Sequence, residues 1–297
     1  MFLSSPHPLP LSRGSLHANH PLFVPQGTIC SAQVAALVIL GANAAILGRS
    51  LPKTTAVAKH LSSLRPGSTV LPLSADVRSP ESLVAAANTC IDTLGRIDYL
   101  ICGAAGNFLA PVTHLSANAF KSVVDIDLIG SYNTVKAVLP HLQATAHGPT
   151  KKILFVSATM HFTGVPFQAH AAAAKAGVDA LSSTLSLELG PLGITSNVVS
   201  PGPIRGTEGM SRLSGGQEQD RIDQSVPLQR QGSVRDIADA TVWLLSEAGD
   251  WVTGAVVVVD GGHWRMQSGR TPGWPQIMGM DWDELVGRKG EREKAKL

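Results

Sequence analysis

The sequence predicts a doubly wound α/β domain built on a parallel sheet, and three observations carry that expectation. Short apolar runs alternate with longer helix-periodic segments, the pattern of successive βαβ units. Hydrophobic residues make up 44% of the 297 and charged residues only 15%, enough apolar side chain to cover both faces of a sheet. Small, cationic and carboxylate residues gather just after the apolar runs, at the carboxyl ends of the strands, where such sheets bind ligands.

In chain order, Leu22, Phe23 and Val24 form a stunted first strand, followed by a helix over 31–40. The second strand is 44–47. The apolar stretch 32–47 that joins the two is broken by Gly41 and Asn43, so it passes from helix to strand rather than crossing a membrane. Helical periodicity over 54–64, 80–94, 117–142, 169–190 and 234–246 alternates with strand candidates at 70–73, 99–102, 153–156, 195–199 and 255–259. The result is one Rossmann-type domain over 21–263, with no internal repeat. Residues 1–20 are a leader with Pro6, Pro8 and Pro10 and no unbroken apolar block of a secretory signal, although the lack of any acidic residue before Asp76 leaves an organelle-transit reading open. Residues 264–297 form a tail, rich in Gly, Pro and polar residues and then in charge.

The net charge of +2 is too small to argue for a nucleic-acid partner, and Tyr99 and Tyr132, the only tyrosines, offer no base-stacking surface. Cys30, Cys90 and Cys102 are odd in number and lack CxxC spacing, as expected of free thiols in a reducing compartment. The chain ends in Ala295-Lys296-Leu297, a close variant of the S-K-L peroxisomal address. The histidines show no metal-ligand spacing, so no metal is expected. Neither a G-x-S-x-G nucleophile motif nor a phosphate-binding P-loop occurs.

The segments after the strands carry the candidate chemistry. After the second strand, Arg49, Ser50 and Lys53 stand where an NAD site would want a carboxylate. Two cations and a hydroxyl suit the extra phosphate of NADP(H), the alternative being a solvated helix start. Asp76 after the third strand can accept from the adenine amine, or cap the helix beginning at Pro80. Ala104, Ala105 and Gly106 let the backbone approach a nucleotide closely. The loop holding Pro201, Gly202, Pro203, Ile204 and Thr207 covers the nicotinamide end.

Asp76-Val77, Ala104-Ala105-Gly106, the helix carrying Lys175, and the stretches 197–202 and 253–262 follow one another in an order and spacing that resembles the short-chain dehydrogenase/reductase superfamily. In that superfamily a Tyr stands one helical turn before the Lys, on the same face. The resemblance assigns this position to Ala171, the usual Ser to Ala158 and the usual Asn to Asp127, leaving only Lys175. Ordinary alcohol or ketone chemistry is therefore not expected. One branch shares this pattern. CGAAGNFL (102–109), AFKSVVDIDLIGSYN (119–133), HAAAAKAGVDA (170–180) and PGPIRGTEGMSRL (201–213) are similar to the peroxisomal 2,4-dienoyl-CoA reductases.

That resemblance implies NADPH-dependent reduction of 2,4-dienoyl-CoA to 3-enoyl-CoA in the β-oxidation of unsaturated fatty acids. Asp127 would activate a water as proton source, and Lys175 would hold the nicotinamide ribose and supply positive charge. It further implies acyl-CoA contacts at Arg49, Arg78, Phe108, Ser116, Ala117, Asn118 and Arg212, a homo-oligomer, and recognition of Ala295-Lys296-Leu297 by the peroxisomal import receptor. On the residues alone, Asp127 reads rather as a helix-surface carboxylate in an ordinary salt bridge, and His170 as structural.

One stretch departs from the superfamily. Its first strand normally runs into a glycine-rich turn that cradles the pyrophosphate. Here LFVPQGTICS (22–31) matches only from Gly27, so Gly27, Thr28 and Ile29 are left to face the cofactor, and a defective first strand and turn are expected. An altered start to the coding sequence and a paralogue with weakened cofactor binding both account for this. The rival functions are a catalytically inactive reductase-like subunit of an oligomer that has lost cofactor binding, and another short-chain reductase.

Overall fold

The structure, a computed structural model, describes residues 20–144, 150–213 and 219–266. Seven strands form one parallel sheet in the order β3-β2-β1-β4-β5-β6-β7. They are β1 (Leu22–Pro25), β2 (Ala44–Gly48), β3 (Val70–Ser74), β4 (Tyr99–Cys102), β5 (Lys151–Val156), β6 (Ile194–Pro201) and β7 (Val256–Val259). The sequence order reverses between β1 and β4, which opens the crevice that ligands use in this architecture. The helices are α1 (Thr28–Ile39), α2 (Leu51–Ser62), α3 (Pro80–Leu94), α4 (Ala117–Val124), α5 (Gly130–Gln143), α6 (Met160–Thr163), α7 (Ala169–Leu189), α8 (Glu208–Leu213), α9 (Gln219–Gln224) and α10 (Val234–Leu245).

The first strand is not lost. All four residues of β1 are buried, and it pairs with β2 over Leu22–Pro25 and with β4 through Leu22 and Phe23. The turn that follows is only Gln26 and Gly27 before α1 begins at Thr28, three residues earlier than the periodicity implies. The apolar runs are strands because their two faces bury different cores. Leu22, Val24, Ile46, Ile101 and Leu154 pack under α1 and α10, whereas Phe23, Ala45, Leu100, Ile153 and Phe155 pack under α3, α5 and α7. Burying each large apolar side chain contributes about 1.5–3 kcal/mol before the entropy of ordering it is subtracted.

The periodic segment 117–142 is not one continuous α-helix. A π-helical turn at Asp125–Ile129 separates α4 from α5. Such a turn inserts an extra residue and re-aims the side chains around it, and Asp127 sits within it. The helix starts also differ in a way that matters. Ser79 caps α3 and a Ser233/Asp236 capping box closes α10, but no side chain caps α1 and its first turn holds no acidic residue.

At the opposite, amino end of the sheet, Asp98 is fully buried among basic side chains. His20 Nδ1 approaches Oδ2 at 2.6 Å, Arg96 Nε approaches it at 2.8 Å, and the Lys151 ammonium pairs with Oδ1. Among the described residues no helix is long and apolar enough to cross a membrane.

Candidate active site

Asp127 and Lys175 come together at the carboxyl ends of β4 and β5. The Lys175 ammonium lies 3.2 Å from Asp127 Oδ2 and donates to the Val156 carbonyl at 3.0 Å. The other oxygen, Asp127 Oδ1, accepts from the Gly106 backbone N–H at 2.7 Å. Asp127 is 1% exposed, which overturns the reading of it as a surface carboxylate. The π turn is braced by Ser131, whose hydroxyl donates to the Asp127 carbonyl. It packs tightly on the loop after β3, since a Cβ on Gly130 would lie 2.6 Å from Val77. A buried charge pair holds only if its remaining lone pairs and protons are met. The Gly106 N–H meets one of them on Asp127, and the Val156 carbonyl one on Lys175.

Ala171, at the position of the missing tyrosine, sits in an apolar nest with Val123 and Ala174, with Phe108, Val124, Leu128 and Met160 packed around them. Phe108 stacks on His170, ring centroids 4.3 Å apart. Ser116 caps α4 through the Ala119 N–H, and Ser116, Ala117 and Asn118 are exposed at the start of that helix. Arg212 belongs to α8, but its side chain lies outside the described residues.

Arg49, Ser50 and Lys53 are exposed at the end of β2 and the start of α2. Asp76 and Arg78, which the sequence allots to different ligands, hold each other. The Arg78 guanidinium makes a bidentate pair with the Asp76 carboxylate, 2.5 Å at its shortest. Hydrogen bonding from Arg78, aided more weakly by the charge of Arg49, holds the Asp76 carboxyl down at about 2.

The loop after β6 is clamped. A Cβ on Gly202 would lie 2.5 Å from Asp260, so only glycine allows this approach. Arg205 donates its N–H to Gly232, and Gly232 donates to Pro203. Ile204 is buried, and Thr207 spends its hydroxyl on the Ile204 carbonyl and the Met210 N–H. Asn197 ties β6 to the segment before β7 through Val252 and Ala255.

The cleft fits an anionic dinucleotide on this chain's own features. The uncapped start of α1 presents free N–H groups beside Gly27, where an added Cβ would meet nothing within 4 Å. Gly103 crosses so close to α1 that a Cβ would lie 2.4 Å from Cys30 Sγ. That thiol is buried and pushed up to about 12, so it acts as packing rather than as a nucleophile. Among the described residues no group of His, Cys, Asp or Glu is placed to hold a metal ion. Sequence reasoning missed the Gly106 N–H, which carries no side-chain signature, and the pairing of His161 with Asp179 at 2.8 Å, which needs the fold to bring α6 onto α7.

Comparison with known proteins agrees with this architecture. Residues 26–263 match the family model described as enoyl-(acyl carrier protein) reductase. A peroxisomal 2,4-dienoyl-CoA reductase of Saccharomyces cerevisiae, named as (3E)-enoyl-CoA-producing, is 51% identical over 242 residues, 81% of this chain and 82% of that one. A peroxisomal 2,4-dienoyl-CoA reductase of Danio rerio is 44% identical over 225 residues, 75% of this chain and 74% of its own. Among solved structures, a short chain dehydrogenase from Bacillus anthracis superposes with a TM-score of 0.75 at 30% identity, covering 82% of this chain and 96% of that one. A 3-ketoacyl-(acyl-carrier-protein) reductase from Brucella melitensis, complexed with NADH, gives 0.76 at 21% identity over 82% and 98%, and shares the fold. With its sheet order, its open crevice and these relatives, the chain belongs to the short-chain dehydrogenase/reductase superfamily and, within it, to the family of the peroxisomal 2,4-dienoyl-CoA reductases.

Proposed function

We propose that the protein reduces 2,4-dienoyl-CoA to 3-enoyl-CoA with a nicotinamide cofactor, in the β-oxidation of unsaturated fatty acids in the peroxisome. The observation that carries this reading is the buried Asp127–Lys175 pair beside an apolar nest where the superfamily's tyrosine would stand. The relatives named for this reaction, 44–51% identical over most of the chain, support it. NADPH is the cofactor of the proposal, because Arg49, Ser50 and Lys53 offer cations and a hydroxyl where an NAD-selective site offers a carboxylate. Its pyrophosphate would meet the start of α1 at Gly27, Thr28 and Ile29. Its adenosine would lie near Asp76, and its nicotinamide end between Ala104, Ala105 and Gly106 and the loop of Pro201, Gly202, Pro203, Ile204 and Thr207. When bound, it supplies the hydride.

The chain's residues then have a limited task. Reduction of a conjugated thioester places negative charge on the thioester oxygen and requires a proton at carbon. An apolar site excludes bulk water and strengthens the field of Lys175. Asp127, held by Gly106 and Lys175, would orient the water that provides the proton. Arg49, Arg78 and Arg212 are proposed for the CoA phosphates, Phe108 for the acyl portion, and Ser116, Ala117 and Asn118 for the rim. A homo-oligomer is part of the same reading, supported by the exposure of Trp251 and Leu187, and Ala295-Lys296-Leu297, outside the described residues, is proposed as the ligand of the import receptor.

The direct test offers a 2,4-dienoyl thioester and a 3-ketoacyl thioester as oxidants of NADPH, with a fluorescence titration of NADPH against NADH. Turnover of the dienoyl thioester and tighter NADPH binding are expected. Turnover of the ketoacyl thioester alone would refute the reading, and a folded chain that binds neither nucleotide would favour an inactive subunit. Replacing Asp127 by alanine is expected to lower kcat by roughly a hundredfold while changing NADPH affinity little. A kcat equal to the parent's removes Asp127 from the chemistry.

A further inference from the structure

His170 is the second residue of α7 and lies beside the site without a role so far. It is 0% exposed and stacked on Phe108 at an interplanar angle of 35°. Neither Nδ1 nor Nε2 has a hydrogen-bond partner among the described residues. The Phe108 carbonyl lies near enough to favour the charged ring, but outside hydrogen-bond geometry. Gln168, two residues earlier and 2% exposed, spends its amide nitrogen on that carbonyl at 3.5 Å, and its Oε1 has no partner among the described residues. Burial pushes the imidazole below its ordinary value, only partly offset by the Phe108 carbonyl and the charge of Asp127. The ring is therefore neutral at pH 7, with one N–H and one lone pair to offer.

Buried, unmet polar atoms are costly and are rare in native proteins. If His170 served only to stack on Phe108, a phenylalanine would do so without that cost. The two ring nitrogens of His170 and the Oε1 of Gln168 instead offer a bound water several buried polar partners, and the charge of Asp127 reaches the ring.

We infer that His170 and Gln168 hold, beside Asp127, the water whose proton goes to the α carbon of the substrate. His170 is thus a positioning residue, and the inference rests on the dienoyl-CoA reading above. In the step, one O–H bond of that water breaks and one C–H bond forms at the α carbon of the dienolate. The hydroxide left behind takes a proton from solvent, which accounts for the one proton consumed per reduction. Neutral His170 fixes the water by hydrogen bonding and does not change its own charge.

The full-length His170→Phe and His170→Gln variants test this. His170→Phe is expected to lower kcat for the dienoyl thioester by roughly a hundredfold, with His170→Gln recovering part of it. The solvent isotope effect on kcat should rise in His170→Phe, and the effect of 4-deuterated NADPH should shrink, as proton delivery becomes limiting. The Tm of His170→Phe without cofactor or substrate should match or exceed the parent's, because the stack remains and the unmet atoms are gone. A kcat within twofold of the parent, isotope effects that do not move, or a fall in Tm that parallels the loss of activity would each overturn the inference. A parent chain that reduces no dienoyl thioester overturns the functional reading itself. An active parent with an equally fast His170→Phe overturns only this inference.

Discussion

Replacing Lys175 by methionine is expected to lower kcat with a dienoyl thioester by on the order of a thousandfold, the scale seen when a preorganised charge at a developing oxyanion is removed. Methionine keeps the length of the side chain and loses the ammonium, so the apolar packing of α7 on β5 survives. The variant removes the donor to the Val156 carbonyl and leaves the buried Asp127 carboxylate with the Gly106 N–H as its remaining donor among the described residues. Breaking a buried pair from one side costs about 3–5 kcal/mol, so lost stability and lost catalysis must be separated. The double variant Lys175→Met/Asp127→Leu does so. It removes both charges from an apolar nest, and its Tm is expected to return most of the way to the parent's while kcat stays low. If the double variant regains activity, the pair is structural. If Lys175→Met alone keeps its kcat, neither the ribose-holding nor the electrostatic role of Lys175 stands.

The strands were legible because a parallel sheet buries both faces, so β4 and the last four residues of β5 read as unbroken apolar runs with no competing helical period, whereas β6 buries Thr195, Ser196 and Asn197 among its apolar residues. Asp127 and Lys175 were legible only through resemblance. Their meeting depends on a π turn that no periodicity announces and on a backbone N–H of Gly106 that any residue could supply. The first strand is as short as the sequence implies, yet it holds its place in the sheet. Leu22–Pro25 is short, but a central position between β2 and β4 needs only enough residues to pair on both sides. His170 reads as structural in the sequence, standing one residue and so about 100° around the helix from Ala171. That geometry says nothing of Phe108, which reaches it from the loop after β4. The ion cluster at Asp98 was also unread, since His20, Arg96 and Lys151 are distant or unremarkable in sequence and meet only where three strands begin.

That cluster gives the largest stability effect expected of a single substitution. Asp98→Ala leaves Lys151, 4% exposed, and His20, 1% exposed, facing one another without the carboxylate between them. A cost of about 3–5 kcal/mol follows, which for a domain of this size corresponds to a Tm lower by roughly 10 °C. By contrast, the Arg235–Asp239 pair has side chains 85% and 64% exposed, and its loss should be lost within about 0–1 kcal/mol. Asp98 lies at the amino ends of the strands, away from the cleft, so kcat per folded molecule at 25 °C should match the parent's. Burial works against the charged form of Asp98, but hydrogen bonds from His20 and Lys151 outweigh it and hold the carboxyl below its ordinary value. A carboxyl lowered in the folded state stabilises the fold above the unfolded value of about 4 and loses that contribution as pH falls through the lowered folded value. The parent's Tm should therefore decline steeply below pH 4, and the gap between parent and Asp98→Ala should narrow over the same range. A gap that stays constant down to pH 2 would mean that Asp98 stabilises the sheet by packing rather than by charge.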